Sequence, residues 1–371
     1  MAALVSPGTL DRLLGPEEGR AVRVGGTVAT VVAILVVSAF LNVALLPVMV
    51  AGIQTGVVYA LVAVGIALVY KATRVLNFAQ GEIGTVAAFF VFMGLAGFDK
   101  TQNLEAAYPF FQMVGWTLAA MVIGAVLAVL INVGVVSRLA NAAPVTTLVA
   151  TIGVALLLIG SQVLYFEALP RPFPTFTQGA PSGVKFLGVC LSSTSDSGAC
   201  LGREGILVVG GANITYQFLL TTTVLVLVAI GLATFFRTPV GVALLASSQE
   251  PFAAQLQGVS LQAMSALAWG TAGAFGAVAG VLAGGSSESI APGFMTSGVL
   301  IPAIVASVLG GITSIPGAVA GALVLGLVQT YANQIVLSNG WSVPGPPQLA
   351  TFVVLLLVLL FRPRGLFGKE A

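Results

Sequence analysis

Long reaches of this chain carry no charge. No Asp, Glu, Lys or Arg occurs in 24–70, 106–137, 139–166, 205–236, 251–287 or 289–361. A helix needs about 20 apolar residues to cross roughly 30 Å of hydrocarbon. The last stretch is long enough for three crossings joined by tight turns. Only 7% of the 371 residues are charged and 58% are hydrophobic, against about 25% charged in an ordinary soluble domain. Fourteen Lys and Arg with twelve Asp and Glu cannot cover a water-soluble globule of this size. A soluble enzyme and a disordered chain are excluded. A net charge of +2 gives no basic field to attract phosphates, so no nucleic-acid partner is expected. His is absent and Cys occurs twice, which leaves no His acid/base chemistry and no four-ligand zinc site. No metal, cofactor or catalytic residue is expected.

Gly, Pro and Asn breaks divide the uncharged stretches into ten spans, at about 25–47, 50–70, 80–97, 112–136, 145–166, 216–236, 263–284, 297–312, 316–336 and 349–361. Spans three, eight and ten are short enough to be tilted, half-crossing or re-entrant. A membrane barrel would alternate apolar and polar residues in segments of about ten. Continuous runs such as Val31-Val32-Ala33-Ile34-Leu35-Val36-Val37 point to helices, which satisfy their backbone groups internally. The first run exceeds the roughly 7–15 residues of a signal-peptide core and starts well inside the chain, so it reads as a retained span. The expected fold is an all-α polytopic membrane protein with about ten transmembrane or partly re-entrant helices.

Basic residues concentrate on the cytoplasmic side of membrane proteins. With the N-terminus inside, ten spans place Arg12, Arg20, Arg23, Lys71, Arg74, Arg138, Arg237, Arg362, Arg364 and Lys369 inside. Lys100, Arg171, Lys185 and Arg203 fall outside. Both termini are then cytoplasmic. The expected organisation is a cytoplasmic segment 1–23, a membrane domain 24–366 and a cytoplasmic tail 367–371. An extracytoplasmic loop spans 167–215 and a cytoplasmic loop 237–262. The outer loop is rich in Pro, Gly and Ser and holds Cys190 and Cys200. Outside the cytoplasm these two form either a disulfide or a pair of free thiols.

Gly276, Gly280 and Gly284 recur every four residues in span seven, and Gly317 and Gly321 do so in span nine. Small residues at this spacing let helix backbones approach where lipid supplies no hydrophobic drive. Ionisable groups at membrane depth are costly and are candidates for function. Glu82 starts span three beside Asn77 and Gln80, and Glu288 follows span seven. These four are candidate pathway residues; the alternative is that each carboxylate caps a helix end in an interfacial turn. Gln54, Asn132, Gln162 and Gln329 read as interhelical hydrogen-bond formers. In the inner loop, Glu250-Pro251 is a helix start and Gly258 a stop. The two turns between them carry Ala253 and Ala254. They form either a docking helix for a cytoplasmic partner or an ordinary loop helix.

Four ordered stretches, spread over about 50–368, resemble the permeases of branched-chain amino acid ABC importers, the LivH/LivM type. The inner loop is similar to that family's coupling loop, although Ser247, Ser248 and Gln249 stand where it often carries charge. Leu76-Asn77-Phe78-Ala79-Gln80-Gly81-Glu82 matches its N-F-A-[HQ]-G-E segment and places the chain closest to the LivH-like half. Gly310-Gly311-Ile312-Thr313-Ser314-Ile315-Pro316-Gly317-Ala318-Val319-Ala320-Gly321 and Arg362-Pro363-Arg364-Gly365-Leu366-Phe367-Gly368 match two further segments. The resemblance implies an importer subunit in a bacterial inner membrane. Its partners would be a second permease subunit, in a heterodimer, with two cytoplasmic ATPases and an extracytoplasmic substrate-binding protein. Glu250, Pro251, Ala253, Ala254 and Gly258 would then couple to an ATPase. The chain has no G-x-x-x-x-G-K-[ST] phosphate loop, so ATP hydrolysis belongs to other subunits and the chain itself is no enzyme. The implied solutes are branched-chain or other hydrophobic amino acids, alternatively urea or short amides. An ion-coupled secondary carrier is the rival of another class; it would need intramembrane charges for its ion. With a disulfide, a thiol reagent leaves Cys190 and Cys200 unlabelled until reductant is added, and labelling of both without reductant excludes the bond.

Overall fold

The structure is a computed structural model. It describes residues 45–99, 108–139, 142–176, 215–340 and 342–361, with Gly365 and the backbone of short strands between 185 and 214. The helices are α1 (Leu45–Thr73), α2 (Gln80–Leu95), α3 (Phe110–Ile131), α4 (Pro144–Phe166), α5 (Tyr216–Phe235), α6 (Pro239–Gln249), α7 (Pro251–Leu256), α8 (Leu261–Ser287), α9 (Ile301–Gly310), α10 (Ile315–Ser338) and α11 (Pro346–Phe361). A π-helical turn, Asn132–Val136, prolongs α3, and another, Thr296–Leu300, leads into α9. Among the described residues six helices are long and apolar enough to cross a membrane: α1, α3, α4, α5, α8 and α10. The helices at 80–95, 296–310 and 346–360 are shorter, and they coincide with the short spans three, eight and ten. The first expected span falls outside the described residues, except that 45–47 belong to α1. Pro47 sits in the first turn of α1, where a missing N–H costs little.

Similar hydropathy leads to different surroundings. From Val57 to Val69 every residue of α1 is buried, as expected of a helix apolar on all sides inside a protein. Helices α8, α9 and α10 pack around it. The α1 sequence there is Val-Val-Tyr-Ala-Leu-Val-Ala-Val-Gly-Ile-Ala-Leu-Val, rich in small side chains. Helices α4 and α5 are as apolar but stay largely uncovered, with Leu156, Leu157, Leu164, Leu227 and Ile230 exposed. Such faces suit lipid.

Glycines set the closest contacts. A Cβ on Gly280 of α8 would stand 2.1 Å from the carbonyl oxygen of Gly84 in α2. On Gly276 it would stand 2.7 Å from Nε2 of Gln80. Gly284 is closed off instead by side chains, with Ile290 2.8 Å from that point. Gly317 backs onto Gly310, and Gly321 onto Ala306, which locks α9 against α10. The C-terminal Gly365 lies in the same place, against the backbone of Val308 and Gly311.

At one end of the bundle, Arg171–Pro172 pairs antiparallel with Ser289–Ile290, and Phe173 N–H donates to Glu288 C=O at 3.0 Å. The exit of α4 is thereby tied to the exit of α8. Phe166 at that exit stacks on Phe89 with centroids 4.2 Å apart. The loop 167–215 contains three short hairpin ladders: Lys185–Phe186 with Val189–Cys190, Ser193–Thr194 with Cys200–Leu201, and Leu207–Val209 with Ala212–Ile214. The pairing of Cys190 with Cys200 concerns side chains outside the described residues.

At the opposite end the loop 237–262 holds two helices, where the sequence reading expects one. Thr238 Oγ1 accepts from Gly241 N–H at 3.1 Å and Pro239 follows as the first helical residue, a strong start signal. Glu250 leaves helical geometry at φ −131° because Pro251 disfavours the α region before it. Gly258, at φ +82°, then stops α7 with a conformation that side chains resist. Gly280→Ala is expected to lower thermal stability in detergent by about 1–3 kcal/mol through overpacking. Gly153→Ala, whose Cβ meets nothing within 4 Å, is expected to leave the melting temperature unchanged or slightly raised.

Candidate functional site

The segment after α1 folds back into the bundle. Arg74 takes a left-handed conformation, φ 57°, and ends the helix. Gln80 then lies against Gly65 and Ala272. Gly65 is two turns above the end of α1, about 12 Å along its axis, and Ala272 lies about 16 Å into α8. Helix α2 therefore begins at depth, which explains its 16-residue length. An Asn at its entrance makes this possible. Asn77 Oδ1 accepts from Ala79 N–H at 3.0 Å, and its Nδ2 donates to Gln80 Oε1 at 3.2 Å. Gln80 Nε2 donates to Ala272 C=O at 2.5 Å. Thr151 of α4 seals the back, accepting from Phe78 N–H at 3.4 Å and sharing its one proton between Leu148 C=O at 2.8 Å and Leu76 C=O at 3.3 Å. Every polar atom freed by the unwound stretch needs such a partner at this depth.

Glu82 follows in the first turn of α2 and is 0% exposed. Its carboxylate accepts from Gln162 Nε2 of α4 at 3.0 Å and from the Thr296 hydroxyl at the π-helical turn. Oε1 of Gln162 is buried without a hydrogen-bond partner among the described residues. Ile159, one turn back on α4, faces Gly293, so α4 and the 293–296 turn flank one another at the carboxylate. Ser297 and Gly298 beyond Thr296 are exposed, as are Gly160 and Ser161 beside Gln162.

The structure thus joins Asn77 to Gln80, turns Glu82 to separate partners on α4 and the π-helical turn, and leaves Glu288 apart. Glu288 is exposed at the C-terminal end of α8, left-handed at φ 52°. Three of the four amides, Gln162, Gln329 and Asn132, make interhelical links, and Gln54 makes none among the described residues. Gln329 accepts from Tyr59 OH at 2.7 Å and donates to Thr351, joining α1, α10 and α11. Asn132 Oδ1 accepts from Ser265 at 3.0 Å. Sequence reading passed over Thr296, Thr151 and Gln217. Gln217 enters α8 beside Gly285 and donates to Leu282 C=O at 3.0 Å. A lone Thr in an apolar run carries no signal of its own. Among the described residues no cluster of three or more metal-ligating side chains occurs.

A second region lies at the opposite end of the bundle. Helix α6 packs on the ends of α1 and α8 through Leu244, Ala268 and Ala72, and Lys71 sits over the Phe236 ring at 5.6 Å. Helix α7 is anchored by Ala254, which is buried, while Glu250, Ala253 and Gly258 face outward. Phe252 and Leu256 project from it at 73% and 72% exposure. They are four residues apart and share one face.

The bundle has the form of a polytopic membrane protein with broken helices. A family model described as branched-chain amino acid transport system / permease component matches residues 48–361, and the chain belongs to that family. It is 28% identical over 321 residues to the high-affinity branched-chain amino acid transport system permease protein BraD of Pseudomonas aeruginosa, covering 86% of this chain and 94% of that one. The LivH permease protein of the same description from Escherichia coli K12 is 28% identical over 327 residues, with the same coverage. A probable branched-chain amino acid transport permease protein LivH from Methanocaldococcus jannaschii is 28% identical, over 84% of this chain and 88% of its own. Superposition on the solved structure of PsaBC from Streptococcus pneumoniae in complex with Fab gives a TM-score of 0.42 at 14% identity, over 85% of this chain and 91% of that one.

Gln80→Leu leaves the buried Asn77 side-chain amide without its acceptor, while Ala272 C=O keeps its helical partner. The substitution is expected to cost about 1–3 kcal/mol, read as earlier thermal unfolding of the purified protein in detergent.

Proposed function

We propose that this protein is one membrane subunit of an ATP-driven importer and forms part of the pathway for branched-chain or other hydrophobic amino acids. Family membership supports the permease role, and the transport activities of its relatives support the solute class. The observation that carries the ATP-driven reading is α7. A two-turn helix at the inner end presents Phe252 and Leu256 to water, and exposed apolar pairs of this kind mark docking sites. The occupant in this reading is a cytoplasmic ATPase, two of which serve a pair of permease subunits. The chain's lack of a phosphate loop fits that division of labour. A second permease completes the pathway, and a substrate-binding protein delivers the solute at the outer face. The location is a bacterial inner membrane, with both termini and α6–α7 on the cytoplasmic side.

In this mechanism ATP-driven closure of the ATPases pushes on α7. Helix α6, packed on the ends of α1 and α8, carries the displacement into the bundle. The spans then alternate between outward and inward openings. Ala254 holds α7 on its base, whereas Glu250, Phe252, Ala253 and Leu256 meet the ATPase. Asn77, Gln80 and Glu82 line the membrane part of the route. Glu288 belongs to its outer mouth.

Glu250→Lys and Phe252→Asp are each expected to abolish ATP-driven uptake in proteoliposomes while the protein remains in the membrane at normal abundance. Wild-type uptake by both variants would remove α7 from the coupling interface.

A further inference from the structure

The Glu82 site is short of positive charge and rich in acceptors. The carboxylate is fully buried, and its partners among the described residues are Thr296, Gln162 and Thr85, none of them a cation. Both side chains that reach it from other segments are donors, a hydroxyl and an amide N–H. Burial opposes charge on this carboxyl while the donors favour it, so an ionised Glu82 at this depth calls for a counter-charge. Gln162 spends its N–H on Glu82, and its own Oε1, one amide width away, is buried with no partner. The Glu82 carboxylate and the neighbouring Gln162 amide oxygen thus keep capacity to accept among the described residues. Thr296 starts a π-helical turn, a distortion that frequently marks functional positions. Beside the cluster the surface is polar and small: Ser297 and Gly298 on one side, Ser161 on the other, in an otherwise apolar belt.

We propose that this cluster receives the α-ammonium group of the transported amino acid, with Glu82 as its counter-charge and Gln162 Oε1 as a further acceptor. A primary ammonium carries three N–H donors, which suits these acceptors. A sodium ion prefers a larger cage of oxygen ligands than these residues form. The assignment rests on the importer reading and narrows it: solutes with a cationic ammonium are taken, and neutral urea or short amides are not. Thr296 separates the carboxylate from the exposed surface at Ser297 and Gly298, so the ammonium approaches from that side.

The test uses the complete transporter reconstituted in proteoliposomes, together with the purified complex of membrane and ATPase subunits for equilibrium binding. In the wild-type complex, leucinamide, which keeps the ammonium and lacks the carboxylate, is expected to displace labelled leucine. 4-Methylpentanoate, which keeps the carboxylate and lacks the ammonium, is expected not to. Glu82→Gln is expected to weaken leucine binding by about tenfold or more, the scale of a lost charge-assisted hydrogen bond. Glu82→Asp is expected to recover part of the affinity. Equal displacement by both analogues, displacement by sodium chloride but not by leucinamide, absence of saturable leucine binding, or wild-type affinity in Glu82→Gln would each overturn the proposal. Should Glu82→Gln fail to assemble, the ranking of the two analogues on the wild-type complex decides. Failure of the wild-type transporter to import leucine with ATP and its binding protein is a separate result, which would remove the importer reading itself.

Discussion

Backbone contact between α2 and α8 is the constraint on which the rest depends. Gly84 and Gly280 meet with no side chain between them. In lipid no hydrophobic force drives helices together, so close van der Waals contact and interhelical hydrogen bonds must do it. Because α8 presents Gly276 and Gly280 to α2, a helix can begin at depth and still bury its flank. The unwound residues before it are then within reach of fixed partners: Ala272 C=O on one side and Thr151 on the other. Side chains larger than hydrogen at these positions would push α2 outward and expose unpaired backbone to hydrocarbon.

From that contact the polar site follows. Glu82 is one turn beyond the α2 entrance, so its depth is set by where α2 starts. Its partners come from α4 and from the turn before α9, which are themselves tied to the C-terminal end of α8 and to the bundle core. The opposite end is built separately. There α6 rests on α1 and α8, and α7 hangs from α6 by a proline-induced break. One helix, α8, runs from the base of α6 to the level of Gln80 and on to Glu288. A displacement at α6 and α7 therefore has a continuous rigid element through which to reach the site.

Much of this was legible in the sequence. Charge gaps located nine apolar helices to within a few residues, because exclusion of charge from hydrocarbon acts on each segment by itself. The shortness of spans three, eight and ten was visible for the same reason. Pro251 and Gly258 marked α7 because they impose their backbone conformations locally. The Thr238-Pro239 start of α6 carried an equally strong local signal, and the reading of a single helix in that loop missed it. Gly276 and Gly280 announced a packed face through their spacing, although the spacing does not name the helix that fills it.

By itself the sequence determined the span type, the approximate span positions and the family. These depend on residue type and short-range order. Only the tertiary structure decided which apolar helices are enclosed and which stay exposed, since α1 and α4 are alike in hydropathy and differ in neighbours. It alone decided that Glu82 is held by Gln162 and Thr296, which lie 80 and 214 residues away along the chain. A hydrogen bond at that separation is a property of how the helices pack, and no local pattern encodes it.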